Sequence, residues 1–187
     1  MTRWQPDARG RLAQAAMELY AERGFSQTTV AQIAERAGVT ERTFFRYFAD
    51  KREMLFDGSA HLQQLMVDAV SDAPADASPL DAVGCALEAV GTVFVDLDHS
   101  RTRQRVIDSD PSLQERELIK RERLATAVTE ALRARGTGEP AASLTAHTGI
   151  GVFHVAFATW IAAGNTRSYA DIARDLLLEL KSVIRAR

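Results

Sequence analysis

The sequence predicts an all-α fold of about nine helices, with a three-helix N-terminal domain followed by a larger helical domain. Apolar residues recur at intervals of three and four along most of the chain, which is the period of an amphipathic helix. No clear run of alternating apolar and polar residues indicates a strand. Glycine, proline and cap-forming residues fall where helices would end or begin. With 187 residues, 46% hydrophobic and 26% charged, the composition is that of an ordinary globular protein.

The first three helices are predicted from the residues at their ends. The first covers about 7–23 and stops at Gly24, a residue that commonly follows a helix C-terminus. The second is short, follows Thr29 and breaks at Gly38. Thr40 stands where a side chain can cap the third helix. These features place three helices in the first third of the chain.

A longer fourth helix is predicted over 50–71, because Asp50 and Glu53 have the spacing of a capping box. The segment "DAPADASP" (72–79) is dense in Ala, Asp and Pro and predicts a linker. Ser78-Pro79 at its end predicts the cap and first residue of the fifth helix.

The remaining helices belong to the predicted C-terminal domain. The apolar face of the fifth is formed by Val83, Leu87, Val90, Phe94 and Leu97. The later helices are predicted over about 101–109, from Asp110-Pro111 to Gly136, over 143–163, and after Ser168. The one over 143–163 is apolar almost all round, which predicts burial by its own domain or by a partner chain. We expect domains at 6–66 and 67–187.

The third helix carries an unusual surface. Phe44 and Phe48 lie one helical turn apart and are predicted to face the first two helices. The opposite side then carries Arg42, Thr43, Phe45, Arg46 and Tyr47. Two short helices joined by a glycine-containing turn, here at about 29–48, form a helix-turn-helix unit. Its second helix fits the DNA major groove, where arginine bonds guanine and small or aromatic groups contact phosphates and thymine methyls.

The runs "RLAQAAMELYAERGFSQ" and "TTVAQIAERAGVTERTFFRYFADKREML" resemble the N-terminal domain of the tetracycline-repressor (TetR) family of transcriptional regulators. The resemblance covers about residues 9–56. This chain has Phe45 where members most often carry Tyr, and Tyr47 where they carry His. Arg42 stands where many have Gly or Pro, so the operator sequence does not transfer from a relative.

The resemblance implies roles for individual residues. Thr29 and Lys51 would contact backbone phosphates, whereas the groove would be faced by Thr40, Arg42, Thr43, Phe45, Arg46 and Tyr47. The last two helices would form a homodimer interface. The implied protein is a cytoplasmic repressor that a small-molecule effector releases from a palindromic operator in double-stranded DNA. An activator or ligand-independent DNA-binding protein is the first alternative, and an all-helical enzyme or carrier is the second.

Residues that could line an effector cavity are apolar or weakly polar side chains of the C-terminal two-thirds: Cys85, Phe94, Ile107, Leu118, His147, Phe153, His154, Phe157 and Trp160. Core packing explains them equally well. His147 and His154 have no neighbouring carboxylate pair that would complete a metal site, so polar core or pocket positions are favoured. The single cysteine excludes an intrachain disulfide. We expect no catalytic residues, metal, cofactor, signal peptide or membrane span.

Overall fold

The computed structural model describes residues 7–185, with side chains to residue 184. Nine α-helices and a 3-10 helix over Glu53–Phe56 make up the secondary structure of this range, which contains no strand. The predicted all-α class is confirmed. The α-helices are α1 (Ala8–Arg23), α2 (Val30–Arg36), α3 (Glu41–Tyr47), α4 (Ser59–Ser71), α5 (Pro79–Val90), α6 (Leu97–Asp108), α7 (Pro111–Ala134), α8 (Ala141–Ile161) and α9 (Tyr169–Arg185).

The helices group into two compact units, each with its own core. The first contains the described residues up to 57 together with 98–117, and the second contains 58–97 and 118–185. The domain ranges expected from the sequence, 6–66 and 67–187, stay a prediction. Residue 6 and the last two residues of those ranges lie outside the part of the chain that the structure describes.

The core of the N-terminal unit is completed by a segment from much later in the chain. Val106, Ile107 and Leu113 are buried in the same apolar cluster as α1, α2 and α3. Arg103 Nε donates to the Leu55 carbonyl over 2.6 Å, and Ser26 Oγ donates to Asp110 over 3.0 Å. These contacts fix the segment 98–117 as a structural part of the unit.

The predicted fourth helix over 50–71 is wrong at its start. The chain forms the 3-10 helix first, and α4 begins only at Ser59, after Gly58. Asp50 does accept a hydrogen bond from the Glu53 N–H over 3.1 Å, but no α-helix follows from it. Met54, Leu55 and Phe56 are all buried in the core of the N-terminal unit, so packing in that core, rather than the local cap, sets the conformation of this turn. Gly58, which weakens a helix, separates the turn from α4.

The fifth helix is also shorter than predicted. It ends at Val90 with Gly91 as its cap, so Phe94 and Leu97 do not lie on it. Gly91 is in close contact with the start of α9: a Cβ there would lie 2.8 Å from Ala170 Cβ. The next helix consequently starts at Leu97, earlier than the predicted 101. Residues 72–78 form a short connection between α4 and α5. The Ser78-Pro79 helix start is confirmed, since Ser78 accepts a hydrogen bond from the Asp81 N–H over 3.2 Å.

The C-terminal unit is built around α5, which packs against α4, α8 and α9. Gly149 of α8 lies directly against Val83 of α5. The opposite side of α8 is exposed, with Leu144 and Val155 65% and 49% accessible. By length and composition alone α8 could cross a membrane, and its buried side lies in the core of this unit.

Candidate functional site

Side-chain caps define where α2 and α3 begin. Thr29 Oγ1 accepts from the Gln32 N–H over 3.2 Å, and the Gln32 side chain accepts from the Thr29 N–H over 3.0 Å. This reciprocal pair is a complete capping box. Thr40 Oγ1 caps α3 in the same manner by accepting from the Thr43 N–H over 3.2 Å. Gly38 supplies the turn between the helices with φ +66°, a value that glycine adopts without strain.

Two phenylalanines fix the orientation of α3. Phe44 is fully buried and Phe48 nearly so, and their ring centroids lie 5.7 Å apart. Both belong to the cluster formed with Leu12, Leu19 and Ile33. The prediction that they face the first two helices is confirmed. Since one side of α3 is buried in this cluster, the side chains on the opposite side of the helix point outward.

The outward side of α3 has polar and aromatic character. Arg42 and Arg46 are exposed, Phe45 is 55% exposed and Tyr47 is 37% exposed. Arg46 Nη2 donates to the Tyr47 hydroxyl over 3.0 Å, and its Cζ lies 4.7 Å from the centre of that ring. The Arg46 guanidinium is therefore held against the Tyr47 ring at the end of the helix, where its positive charge can bond to a base edge or a phosphate.

The arginines of α3 differ from several other arginines of the unit, which pair with carboxylates. Arg36 pairs with Glu18 and Glu22, and Arg52 and Arg9 also pair with carboxylates. Within the described residues, neither Arg42 nor Arg46 forms an ion pair with a carboxylate. The side of α3 that faces solvent therefore keeps its positive charge available for an anionic partner such as DNA phosphate.

Lys51 has internal partners. Its Nζ donates to the carbonyls of Phe25 and Thr28, each over 2.8 Å, and lies 4.3 Å from the centre of the Phe25 ring. Burial lowers the pKa of Lys51 below its ordinary value. The Tyr20 hydroxyl holds the backbone of Lys51 in place by donating to the Lys51 carbonyl over 2.6 Å. Lys51 thus holds the turn that presents Thr29, and the phosphate contact implied by the resemblance stays a prediction.

The structure brings together only some of the residues proposed for an effector cavity. Phe94, Phe153, Phe157 and Trp160 form one aromatic group, with Phe94 at its centre and centroid distances from Phe94 of 5.2–6.0 Å. Tyr169 joins them with its centroid 5.1 Å from that of Phe94. Sequence reasoning missed Tyr169, because a residue next to the Ser168 cap carries no local sign of a contact with α8.

The other candidates lie elsewhere. Ile107 is fully buried in the core of the N-terminal unit, and Leu118 is 56% exposed. Cys85 is half-buried beside the C-terminal core. His154 is exposed, and His147 is exposed too, with Nδ1 2.8 Å from the Ser143 carbonyl. Their assignment to a cavity stays a prediction. Among the described residues, His, Cys, Asp and Glu form no group that could hold a metal ion.

Comparisons with known proteins agree with this geometry. Residues 12–57 match the model of the family described as bacterial regulatory proteins, tetR family. The chain is 39% identical over 82 residues to the HTH-type transcriptional regulator TcmR of Streptomyces glaucescens, covering 44% of this chain and 36% of that protein. It is 37% identical over 109 residues to MftR of Mycobacterium tuberculosis, named for the regulation of mycofactocin biosynthesis, covering 55% and 52%. The chain thus spans between about a third and about half of the length of these relatives.

A solved structure extends the likeness to the whole fold. The crystal structure of the tetR-family repressor FadR of Thermus thermophilus, in complex with lauroyl-CoA, is 22% identical and covers 96% of each chain with a TM-score of 0.59. At this identity the likeness concerns the fold alone. The matched family and the curated relatives are transcriptional regulators rather than enzymes. Residues 12–57 of this chain thus resemble the tetR family of bacterial regulatory proteins, and the chain shares the all-helical fold of a solved tetR-family structure.

Proposed function

We propose that this chain is a dimeric transcriptional repressor that binds a palindromic operator through α3 and leaves it when the C-terminal unit binds a small molecule. It would act in the cytoplasm, where DNA-binding regulators of this family generally work. The observation that carries the proposal is the exposed side of α3, with two arginines lacking a carboxylate partner among the described residues and a rigid base of buried phenylalanines.

The arginines on the exposed side of α3 are placed so that they can recognise DNA. A short helix fits the major groove, and arginine bonds guanine in bidentate fashion. Arg42 is exposed and without a described partner, so it can reach a base or a phosphate without breaking an internal contact. Arg46 is held beside Tyr47, which restricts its rotamers before DNA arrives. Less conformational freedom is then lost on binding.

Dimer formation is proposed on α8 and α9. Their exposed apolar side chains include Val155 on α8 and Leu178, Val183 and Ile184 on α9, each between 49% and 65% exposed. Exposed apolar side chains concentrated on two helices favour a protein partner, and a twofold homodimer is the commonest closed assembly. A twofold dimer would place two copies of α3 on an inverted repeat, about 34–36 Å apart.

The test of DNA binding uses a selected operator and matched arginine variants. Arg42→Ala and Arg46→Ala should each weaken specific binding by about 1–3 kcal/mol, which is roughly five- to 150-fold. Arg36→Ala removes the same charge from α2, where the arginine is already paired with two glutamates, and should change affinity by no more than about threefold. Equal losses for all three variants would show that only net charge matters, and wild-type affinity of both α3 variants would refute the assignment of α3.

The dimer is tested by sedimentation velocity at micromolar concentration. Val155→Glu should shift the protein toward monomer, since it places a charge on the proposed interface. Val95→Glu is the control, because Val95 is 77% exposed and lies between α5 and α6. A stable monomer in the parent protein would overturn the dimer and the palindrome with it.

Ligand release separates the proposal from its rivals. FadR of Thermus thermophilus was crystallised with lauroyl-CoA, which supports a small-molecule site in a helical body of this kind. A reporter gene behind the selected operator should be silent with the protein alone and expressed once effector is added. Expression that rises with the protein alone would favour the activator alternative. Turnover of a bound compound would favour an enzyme.

A further inference from the structure

In the aromatic group of the C-terminal unit, Phe94 differs from the other members in its place in the chain. Phe94 lies in the non-helical segment between α5 and α6, whereas its ring partners Phe153, Phe157, Trp160 and Tyr169 all lie on α8 or α9. Its ring is stacked on Trp160, with 5.5 Å between centroids and 7° between planes. Tyr169 meets the same ring edge-on at 88°. The Phe94 ring, which belongs to a connecting segment, thus fills a slot whose walls are formed by aromatic side chains of α8 and α9.

The aromatic group contains one buried polar atom without a hydrogen-bond partner among the described residues. The Tyr169 side chain is 1% exposed, and its hydroxyl has no hydrogen-bond partner among the described residues. Burying a hydroxyl without a hydrogen bond is unfavourable. Buried groups of this kind in native proteins are rare, and each calls for a bound group or a functional role. The other four side chains of the group are aromatic, and none of them is ionisable.

We propose that this aromatic group is the effector site, and that its ligand is a flat, uncharged, largely apolar molecule bearing a hydrogen-bond acceptor such as a ketone oxygen. The ligand ring replaces the Phe94 ring on Trp160, and its acceptor takes the hydrogen of the Tyr169 hydroxyl. This inference rests on the ligand response in the proposed function and specifies the chemistry of that response.

Each part of the ligand description follows from one observation. The near-parallel Phe94 and Trp160 rings favour a planar occupant. The four side chains of the group other than Tyr169 carry no ionisable group, which disfavours a charged occupant, since a buried charge needs a partner. Phe94 is the member that can leave, because a side chain on a connecting segment can move without displacing a packed helix.

The probes for the test are 2-acetylnaphthalene and 2-ethylnaphthalene, which share a ring system and differ by one carbonyl. Binding is measured by isothermal titration calorimetry on the full chain. The parent should bind the ketone about tenfold more tightly than the hydrocarbon, a typical effect of one hydrogen bond to an otherwise unsatisfied group. Tyr169→Phe should bring this ratio close to one while leaving the affinity for the hydrocarbon unchanged.

Tyr20→Phe is the matched control. The Tyr20 hydroxyl lies in the N-terminal unit and already donates to the Lys51 carbonyl, so the ratio should stay at about ten. Phe94→Ala should strengthen the binding of both probes because the slot no longer has to be vacated. If Phe94→Ala does not fold by circular dichroism, Phe94→Leu serves the same purpose, as it removes the stacked ring but keeps an apolar side chain.

Two results would overturn the inference. One is the failure of both probes to bind the parent and the Phe94 variant, and the other is an unchanged ratio in Tyr169→Phe. Operator affinity measured with saturating 2-acetylnaphthalene keeps this outcome distinct from the proposed function. If the probe binds and operator affinity does not fall, the aromatic site is supported and the release step is refuted. If the protein binds the operator but not the probe, the aromatic site is refuted and the proposed DNA binding stands.

Discussion

Two glycines of α8 allow the packing of the C-terminal unit to be tested with one matched pair of substitutions. Gly149 is buried, and a Cβ added there would fall well inside 3.0 Å of Val83 Cγ1 on α5. Gly151 is exposed, and a Cβ added there would meet nothing within 4 Å. The same change, Gly to Ala, should therefore have opposite effects on the free energy of unfolding at two positions of the same helix.

At Gly149 the steric cost exceeds the helical gain. Alanine in place of glycine favours a helix interior by about 1 kcal/mol. Overpacking a core usually costs about 1–3 kcal/mol. Val83 is fully buried and β-branched, and such side chains keep one rotamer in a helix, so the clash cannot be relieved by rotation. Because Val83 cannot move aside, we place the overpacking cost in the upper half of that range, at about 2–3 kcal/mol. We therefore expect Gly149→Ala to lower the free energy of unfolding by about 1–2 kcal/mol, and the Tm by roughly 2–8 °C for a chain of this size.

At Gly151 only the helical gain operates in the isolated chain, so Gly151→Ala should raise the free energy of unfolding by up to about 1 kcal/mol. The assay is urea unfolding followed by circular dichroism at several protein concentrations. If α8 forms the proposed dimer interface with close helix approach, the gain at Gly151 should shrink as concentration rises. A Gly149→Ala protein as stable as the parent would refute the contact between α5 and α8.

Three further predictions concern single side chains. Thr40→Ala removes the cap of α3 and should cost about 1 kcal/mol in thermal unfolding of the N-terminal unit. Lys51→Met keeps the aliphatic stem but loses both carbonyl contacts, so the urea midpoint should fall; an unchanged midpoint would indicate a role on phosphate alone. The Ser143 carbonyl, followed by Glu122, raises the pKa of His147, so the folded state binds the proton more tightly than the unfolded state. The resulting stability is present below about pH 6.5 and lost as pH rises through the raised pKa, and His147→Gln should reduce the difference in Tm between about pH 5.5 and about pH 8.5.

Features that depend on residues three or four positions apart could be predicted from the sequence. The caps at Thr40 and Ser78 formed as predicted, and α2 begins directly after Thr29 as predicted, because a cap joins a side chain to a backbone N–H in the next helical turn. The buried side of α3 was equally predictable, since Phe44 and Phe48 are one turn apart and a helix places such residues on one side.

Features that depend on distant partners could not be predicted from the sequence and became visible only in the packing of the helices. Gly149 and Gly151 look alike in the sequence, yet one lies against Val83 and the other faces solvent. Ile107 and Phe94 were equal candidates for one cavity, but Ile107 is in the N-terminal core and Phe94 is in the aromatic group of the C-terminal unit. Which side of a helix is buried, and beside which side chain, is set by packing against helices far away in sequence, whereas a helix and its ends are set by the local chain.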